Sequence, residues 1–135
     1  MNTLITRDFC LEEFQFSAVA TIFSLDNTAN ADAIINLTYL CINVLQPLRD
    51  AIGAPVLVNS GYRCKELNKR VGGAENSQHM YGQAADITVI GSYNSIVQAI
   101  NAQNIVYDQL ITYPARNFVH VSYSKTTNRM QRLYN

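Results

Sequence analysis

His79 and His120 are the only two histidines in the chain, and each sits in a stretch that could hold a metal ion. The first stretch reads Ser77-Gln78-His79-Met80-Tyr81-Gly82-Gln83-Ala84-Ala85-Asp86, and the second reads Phe118-Val119-His120-Val121-Ser122. Two neutral imidazoles and one carboxylate, that of Asp86, can ligate zinc and leave its fourth position open for water. That open position separates catalytic from structural zinc. The spacing from His79 to Asp86 suits one ligand in a loop and one in the following strand, with Gly82 and the small Ala84 and Ala85 letting the backbone pass close between them. His120 comes from a different strand, so the three must meet in space. Taken alone, the same residues also read as a surface histidine, a structural histidine and an ordinary strand-end carboxylate.

The elements that must position these residues are legible as patterns. A short helix starts at Leu11-Glu12-Glu13-Phe14, and a polar loop follows over 24–30. A long amphipathic helix is expected from about 32 to 50, with Ile34, Leu37, Cys41, Val44, Leu45 and Leu48 on one face, a bend in its last turn at Pro47, and a stop at Gly53 and Pro55. Residues 56–59 read as a short strand of the buried type. A second helix spans about 65–71 and ends at Gly72-Gly73. A loop covers 74–83, a strand 85–89, a helix 93–102 capped by Ser92, and two strands 109–112 and 118–123. In the last strand, period-two alternation places Val119, Val121 and Tyr123 on one face and Phe118, His120 and Ser122 on the other. The tail from about 125 is polar and is expected to be ordered only in part. Helices followed by and interleaved with short strands predict a single α+β domain over 1–135, with a small antiparallel sheet and flanking helices.

Composition bounds the function. The chain has 135 residues, enough for one core, with 48% hydrophobic and 15% charged residues, so it is expected to be globular. A formal net charge of zero removes the electrostatic footprint of a nucleic-acid binder. No apolar run approaches the roughly 20 residues that a membrane helix needs. Residues 1–8 contain no long apolar segment, and no secretory signal is expected from them. Cys10, Cys41 and Cys64 are an odd set without a C-x-x-C pair and read as free thiols filling space.

Ser77-x-His79, Gly82-x-Ala84-x-Asp86 and the Val-His-Val-Ser strand around His120 together resemble the zinc motif of the D-Ala-D-Ala carboxypeptidase family. That family includes zinc carboxypeptidases, dipeptidases and phage endolysins that cut L-Ala-D-Glu bonds. Ser60-Gly61-Tyr62-Arg63, Leu67-Asn68 and Val71-Gly72-Gly73 resemble its segment upstream of the first ligand. Phe9-x-Leu11-Glu12-Glu13-Phe14, Asp26-Asn27 and Val44-Leu45-Gln46-Pro47-Leu48-Arg49 resemble its small single-domain branch, so the likeness runs from about 9 to 123. The resemblance implies a D-Ala-D-Ala carboxypeptidase-like fold and a zinc ion held by His79, Asp86 and His120. It further implies Arg63 facing the scissile carbonyl and Ser77 lining the substrate pocket. The implied partner is the peptide stem of peptidoglycan, cut at the bacterial cell wall by metal-activated water, with the chain acting as a monomer and binding neither nucleic acid nor membrane.

One position departs from the pattern. The resemblance places a Glu or Asp general base three residues before the last histidine, and this chain has Asn117 there. An amide can hydrogen-bond a water but cannot accept its proton at neutral pH. Asp108 and Glu75 are the nearest carboxylates by sequence. The alternative is therefore a catalytically impaired, zinc-containing module that binds cell-wall peptides. A purely structural zinc domain lacks the closed four-ligand set it needs. The tyrosines near the site, Tyr62, Tyr81, Tyr107, Tyr113 and Tyr123, read as packing residues, with Tyr81 or Tyr113 available to line a peptide groove.

Overall fold

Ser17 and Asn30 each turn a side-chain oxygen onto a backbone amide of the first helical turn, those of Ala20 and Ala33, and a helix starts at each. The computed structural model describes residues 2–135. Strands β1 (Leu4–Thr6) and β2 (Phe9–Cys10) form a small hairpin, followed by helices α1 (Leu11–Gln15), α2 (Ala18–Ile22) and α3 (Ala31–Leu40). The short helix at Leu11 matches the sequence reading. The hairpin and α2 are too short to carry a periodic signal and were not expected.

The helix expected over 32–50 is one run whose pitch changes. Helix α3 widens into a π turn at Cys41–Leu45 and resumes as α4 (Gln46–Ile52). Pro47 explains the change: it has no N–H to give to the carbonyl four residues back, and its ring crowds that carbonyl. The widened turn lies just upstream of the proline, where the Asn43 side-chain amide donates to the Tyr39 carbonyl at 2.8 Å. Gly53 then ends α4 in the left-handed region at φ 70°.

Strands β3 (Leu57–Ser60), β4 (Ala84–Thr88), β5 (Gln109–Tyr113), β6 (Phe118–Ser122) and β7 (Gln131–Tyr134) form one sheet in the order β3-β4-β6-β5-β7. Helices α5 (Lys65–Arg70) and α6 (Asn94–Ala102) lie between strands in sequence. Every pair is antiparallel except β5 with β7. One face packs onto the helices: Ala85, Ile87, Leu110, Val119 and Val121 join Leu37, Leu40, Val44, Leu45 and Leu48 of the long run and Ile96 and Ile100 of α6 in one core. The other face carries His120 and Asp86, as the alternation in β6 predicts.

Two readings are corrected. Residues 56–59 were expected as a buried strand, but β3 is a sheet edge, with Leu57 54% exposed. The polar tail was expected to be partly ordered, yet it supplies β7, paired with β5 from Gln109↔Gln131 to Thr112↔Tyr134. An ion pair anchors it. Asp108 accepts hydrogen bonds from the amide and Nε of Arg129 on one oxygen and from Nη2 on the other, at 2.8–2.9 Å, and Gln78 adds a fourth.

Arg129 holds the Asp108 carboxyl down to about 2, from an ordinary 3.8. A carboxyl depressed on folding stabilises the fold above its unfolded value, and that contribution fades as pH falls from about 3.8 towards 2. Arg129 is 54% exposed, so water screens the pair and keeps its contribution small. Arg129→Gln is thus expected to lower the urea midpoint modestly at pH 6, with the deficit shrinking towards pH 2. A deficit of equal size at both pH values would refute this account.

Candidate metal centre

Pairing across four strands puts Ser60, Asp86, His120 and Ile111 in one row on the open face of the sheet: Ser60 opposes Asp86, Asp86 opposes His120, and His120 opposes Ile111. Directly opposed residues project from the same face with Cβ atoms roughly 5 Å apart. The register thus brings Asp86 and His120 together without any loop. His79 reaches them from a short 3-10 turn, Gln78–Tyr81, which the sequence showed only as loop. Ser77 caps that turn by accepting the His79 amide at 3.2 Å. Gly82 closes it at φ 72°, against the Ala33 carbonyl of α3, and Asn36 of α3 donates to the Tyr81 carbonyl at 2.8 Å.

The protonation of His79 follows from its partner. Its Nδ1 lies 2.7 Å from the Gly61 carbonyl oxygen, which can only accept, so Nδ1 carries the hydrogen. In the neutral ring Nε2 then presents a lone pair, 3.3 Å from Oδ1 of Asp86. His120 brings Nδ1 to 3.0 Å from the same oxygen. Two facing acceptors repel unless a proton or a cation lies between them. Nitrogen, nitrogen and oxygen donors within 4.8 Å of one another, with one ring fixed by a backbone carbonyl, fit a zinc ion. Burial works to raise the Asp86 carboxyl, but the two imidazoles set against it outweigh burial and hold the group well below the usual carboxylate range.

Arg63 completes the cluster. Its Nη2 approaches Oδ2 of Asp86 at 3.4 Å, while Ser60 and Asn68 accept from Nε and Nη1 at 3.0 and 3.3 Å. Burial lowers the guanidinium's pKa, with the Asp86 charge and then the Tyr113 phenol opposing. Arg63 lies in a groove of two lobes that meet at Asp86, Arg116 and Phe118. Phe16, Ala18, Val19, Tyr62 and Leu67 give one lobe an apolar wall. The other is polar, lined by Ser77, Gln78, Gln109 and Arg129 together with both histidines.

The structure does not bring Asn117 to this groove. It sits in the left-handed region at φ 55°, ending the turn before β6. Its side chain accepts the Tyr93 amide and donates to the Gly91 carbonyl, both at 2.8 Å, and so braces a neighbouring loop. The expectation of Asn117 beside a metal-bound water is therefore corrected: an Asn is used here because it tolerates positive φ. The other carboxylates considered also lie elsewhere, Asp108 in its ion pair and Glu75 beside Lys65 and Met80. Among the described residues lining the groove, Asp86 is the sole carboxylate. Cys64 lies outside it, its Sγ accepting the Leu67 amide at the start of α5. Sequence reasoning missed the Gly61 carbonyl, since a backbone acceptor leaves no mark in residue type. It also missed Arg116, whose place follows from the tight connection between β5 and β6.

The fold and this donor set point to the peptidases. Residues 8–122 match the model of the peptidase M15 family. A 93-residue stretch is 39% identical to the zinc D-Ala-D-Ala carboxypeptidase of Streptomyces albus G, covering 67% of this chain and 34% of that relative. The chain thus spans about a third of the length of the curated relative it matches. It belongs to the peptidase M15 family, as the motifs around His79, Asp86 and His120 led us to expect.

Proposed function

We propose that the protein is a zinc peptidase acting on the peptide stems of bacterial peptidoglycan. One observation carries the reading: His79, Asp86 and His120 converge beside a half-buried arginine in a groove that extends to both sides of them, within a peptidase M15 chain. Similarity to a zinc D-Ala-D-Ala carboxypeptidase supports the metal and the substrate class. Nε2 of His79, Oδ1 of Asp86 and Nδ1 of His120 would hold the ion. Zinc in such a site polarises a peptide carbonyl and lowers the pKa of bound water to about 7.

The chain's own residues supply the rest. The Gly61 carbonyl fixes the His79 tautomer, so no proton needs to leave Nε2 when the ion binds. Ser60 and Asn68 hold the Arg63 fork in place before any charge develops on a substrate oxygen, which is the condition for strong transition-state stabilisation. The apolar lobe suits small side chains such as alanine, and the polar lobe suits the charged and amide groups of a stem peptide. Arg63→Gln is expected to lower kcat by about 100-fold while zinc content stays at one per chain. Unchanged kcat would remove Arg63 from this role.

A second reading is favoured by the lack of a second groove carboxylate among the described residues: a zinc-containing module that binds the same peptides without cutting them. Incubation of the zinc-loaded protein with purified peptidoglycan, read by mass spectrometry against a chelator-treated control, separates the two. New chelator-sensitive fragments establish the peptidase and identify the bond. Binding to peptidoglycan without fragments establishes the module.

A further inference from the structure

We propose that the Tyr113 hydroxyl is a second hydrogen-bond donor in the groove, acting beside Arg63 on the carbonyl oxygen of the bound peptide. The proposal rests on the peptidase reading above. Its starting point is the alternation in β5. Leu110 and Thr112 turn inward, 0% and 2% exposed, so Ile111 and Tyr113 share the face that carries His120. Ile111 lies directly opposite His120, which puts Tyr113 one diagonal step away, within reach of a side chain as long as tyrosine.

The ring is held there. Tyr113 pairs with Phe118 across the strands, and the two rings stack with centroids 4.5 Å apart and planes at 8°. The Arg116 guanidinium lies over the Phe118 ring at 5.4 Å. An aromatic stack of this kind leaves the phenol few orientations, so its oxygen is placed before a substrate arrives. Tyr113 and Arg63 line the same lobe of the groove, so both donors face the space beside the metal face. The hydroxyl has no hydrogen-bond partner among the described residues, although Tyr113 is only half-exposed and lines the groove.

Elimination points the same way. Apart from the three proposed ligands and Arg63, Arg116 and Arg129, the titratable side chains lining the groove among the described residues are Tyr62 and Tyr113. Tyr62 is 8% exposed and packed into the core. Of these two, Tyr113 is the one that stands on the metal face. A phenol O–H donates well to an oxygen gaining charge and needs no change of protonation to do so.

Tyr113→Phe tests this because it keeps the stacked ring and removes only the hydroxyl. With stem peptides, kcat is expected to fall about 10- to 100-fold with KM within about twofold, at or just below the usual range for losing one oxyanion donor. Affinity of the zinc-loaded protein for a phosphinate dipeptide, whose tetrahedral oxygens mimic the charged intermediate, is expected to fall by a similar factor in calorimetry. Zinc content stays at one per chain. Wild-type kcat and phosphinate affinity in Tyr113→Phe overturn the proposal, as does a phosphinate loss no larger than the loss in peptide affinity. Tyr113→Leu removes the ring as well; impairment there with a normal Phe variant assigns the residue to stacking alone and also overturns it. Tyr113-dependent phosphinate binding by a wild-type protein that cuts no peptide keeps the Tyr113 assignment and rejects the peptidase reading, whereas a wild type that neither binds nor cuts rejects both.

Discussion

His79→Ala and His120→Ala are each expected to yield protein without stoichiometric zinc and with peptide hydrolysis reduced by well over about 100-fold, since even loss of a ligand's hydrogen-bond partner costs 10- to 100-fold in affinity or activity. The two should differ in stability. His79 is 3% exposed and carries the hydrogen bond to Gly61, so its removal leaves a cavity and an orphaned carbonyl. His120 projects from the open face of the sheet and can be truncated at less structural cost. Metal analysis with circular dichroism on both variants separates loss of ligand from loss of fold. Zinc retained at wild-type affinity in a folded His120→Ala protein would remove that residue from the ligand set.

Gly82→Ala is expected to destabilise the protein by about 3 kcal/mol, the sum of a left-handed backbone and a steric clash. At φ 72° the new Cβ would lie 2.3 Å from the Ala33 carbonyl oxygen, and neither backbone can yield without shifting the His79 turn against α3. Gly53 provides the control. It has nearly the same φ, 70°, but nothing within 4 Å of the added atom, so Gly53→Ala should cost only about 1–2 kcal/mol of conformational strain. Urea melts of the two variants isolate the clash. Equal losses would show that the turn is not wedged against α3. Zinc affinity should fall in the Gly82 variant and hold in the Gly53 variant, because only the former displaces His79, a proposed ligand.

The long helix, α5, α6 and the central strands were legible because their periodicity runs for several turns or alternations. So were His79, Asp86, His120 and Arg63, which stand in segments rich in distinctive residue types. What escaped did so for identifiable reasons. The hairpin of β1 and β2 and helix α2 are shorter than any period that would reveal them. Strand β7 reads as polar because it is an edge held by Arg129 and Asp108 rather than by burial. Asn117 was placed by the resemblance alone, three residues before His120; the chain reverses through Pro114–Arg116 and Asn117 takes the left-handed position, its side chain turned to Tyr93 and Gly91. Tyr113 read as packing, with lining of a peptide groove left open, because one strand alone does not say which face its partner exposes; the register with β6 does.

Residues 61–63 touch both the ligand turn and the amino-terminal segment. The Gly61 carbonyl and the Arg63 amide bond to His79, while the Tyr62 amide bonds to the Phe14 carbonyl, and Gly61 has no side chain because Phe14 lies against it. A strap shared in this way makes ion capture and docking of the amino-terminal segment thermodynamically linked: order imposed from either side is inherited by the other. Free energy gained on loading the proposed site would therefore be spread beyond its three donors to Phe14 and the hairpin behind it, which would become part of the apparatus that retains an ion.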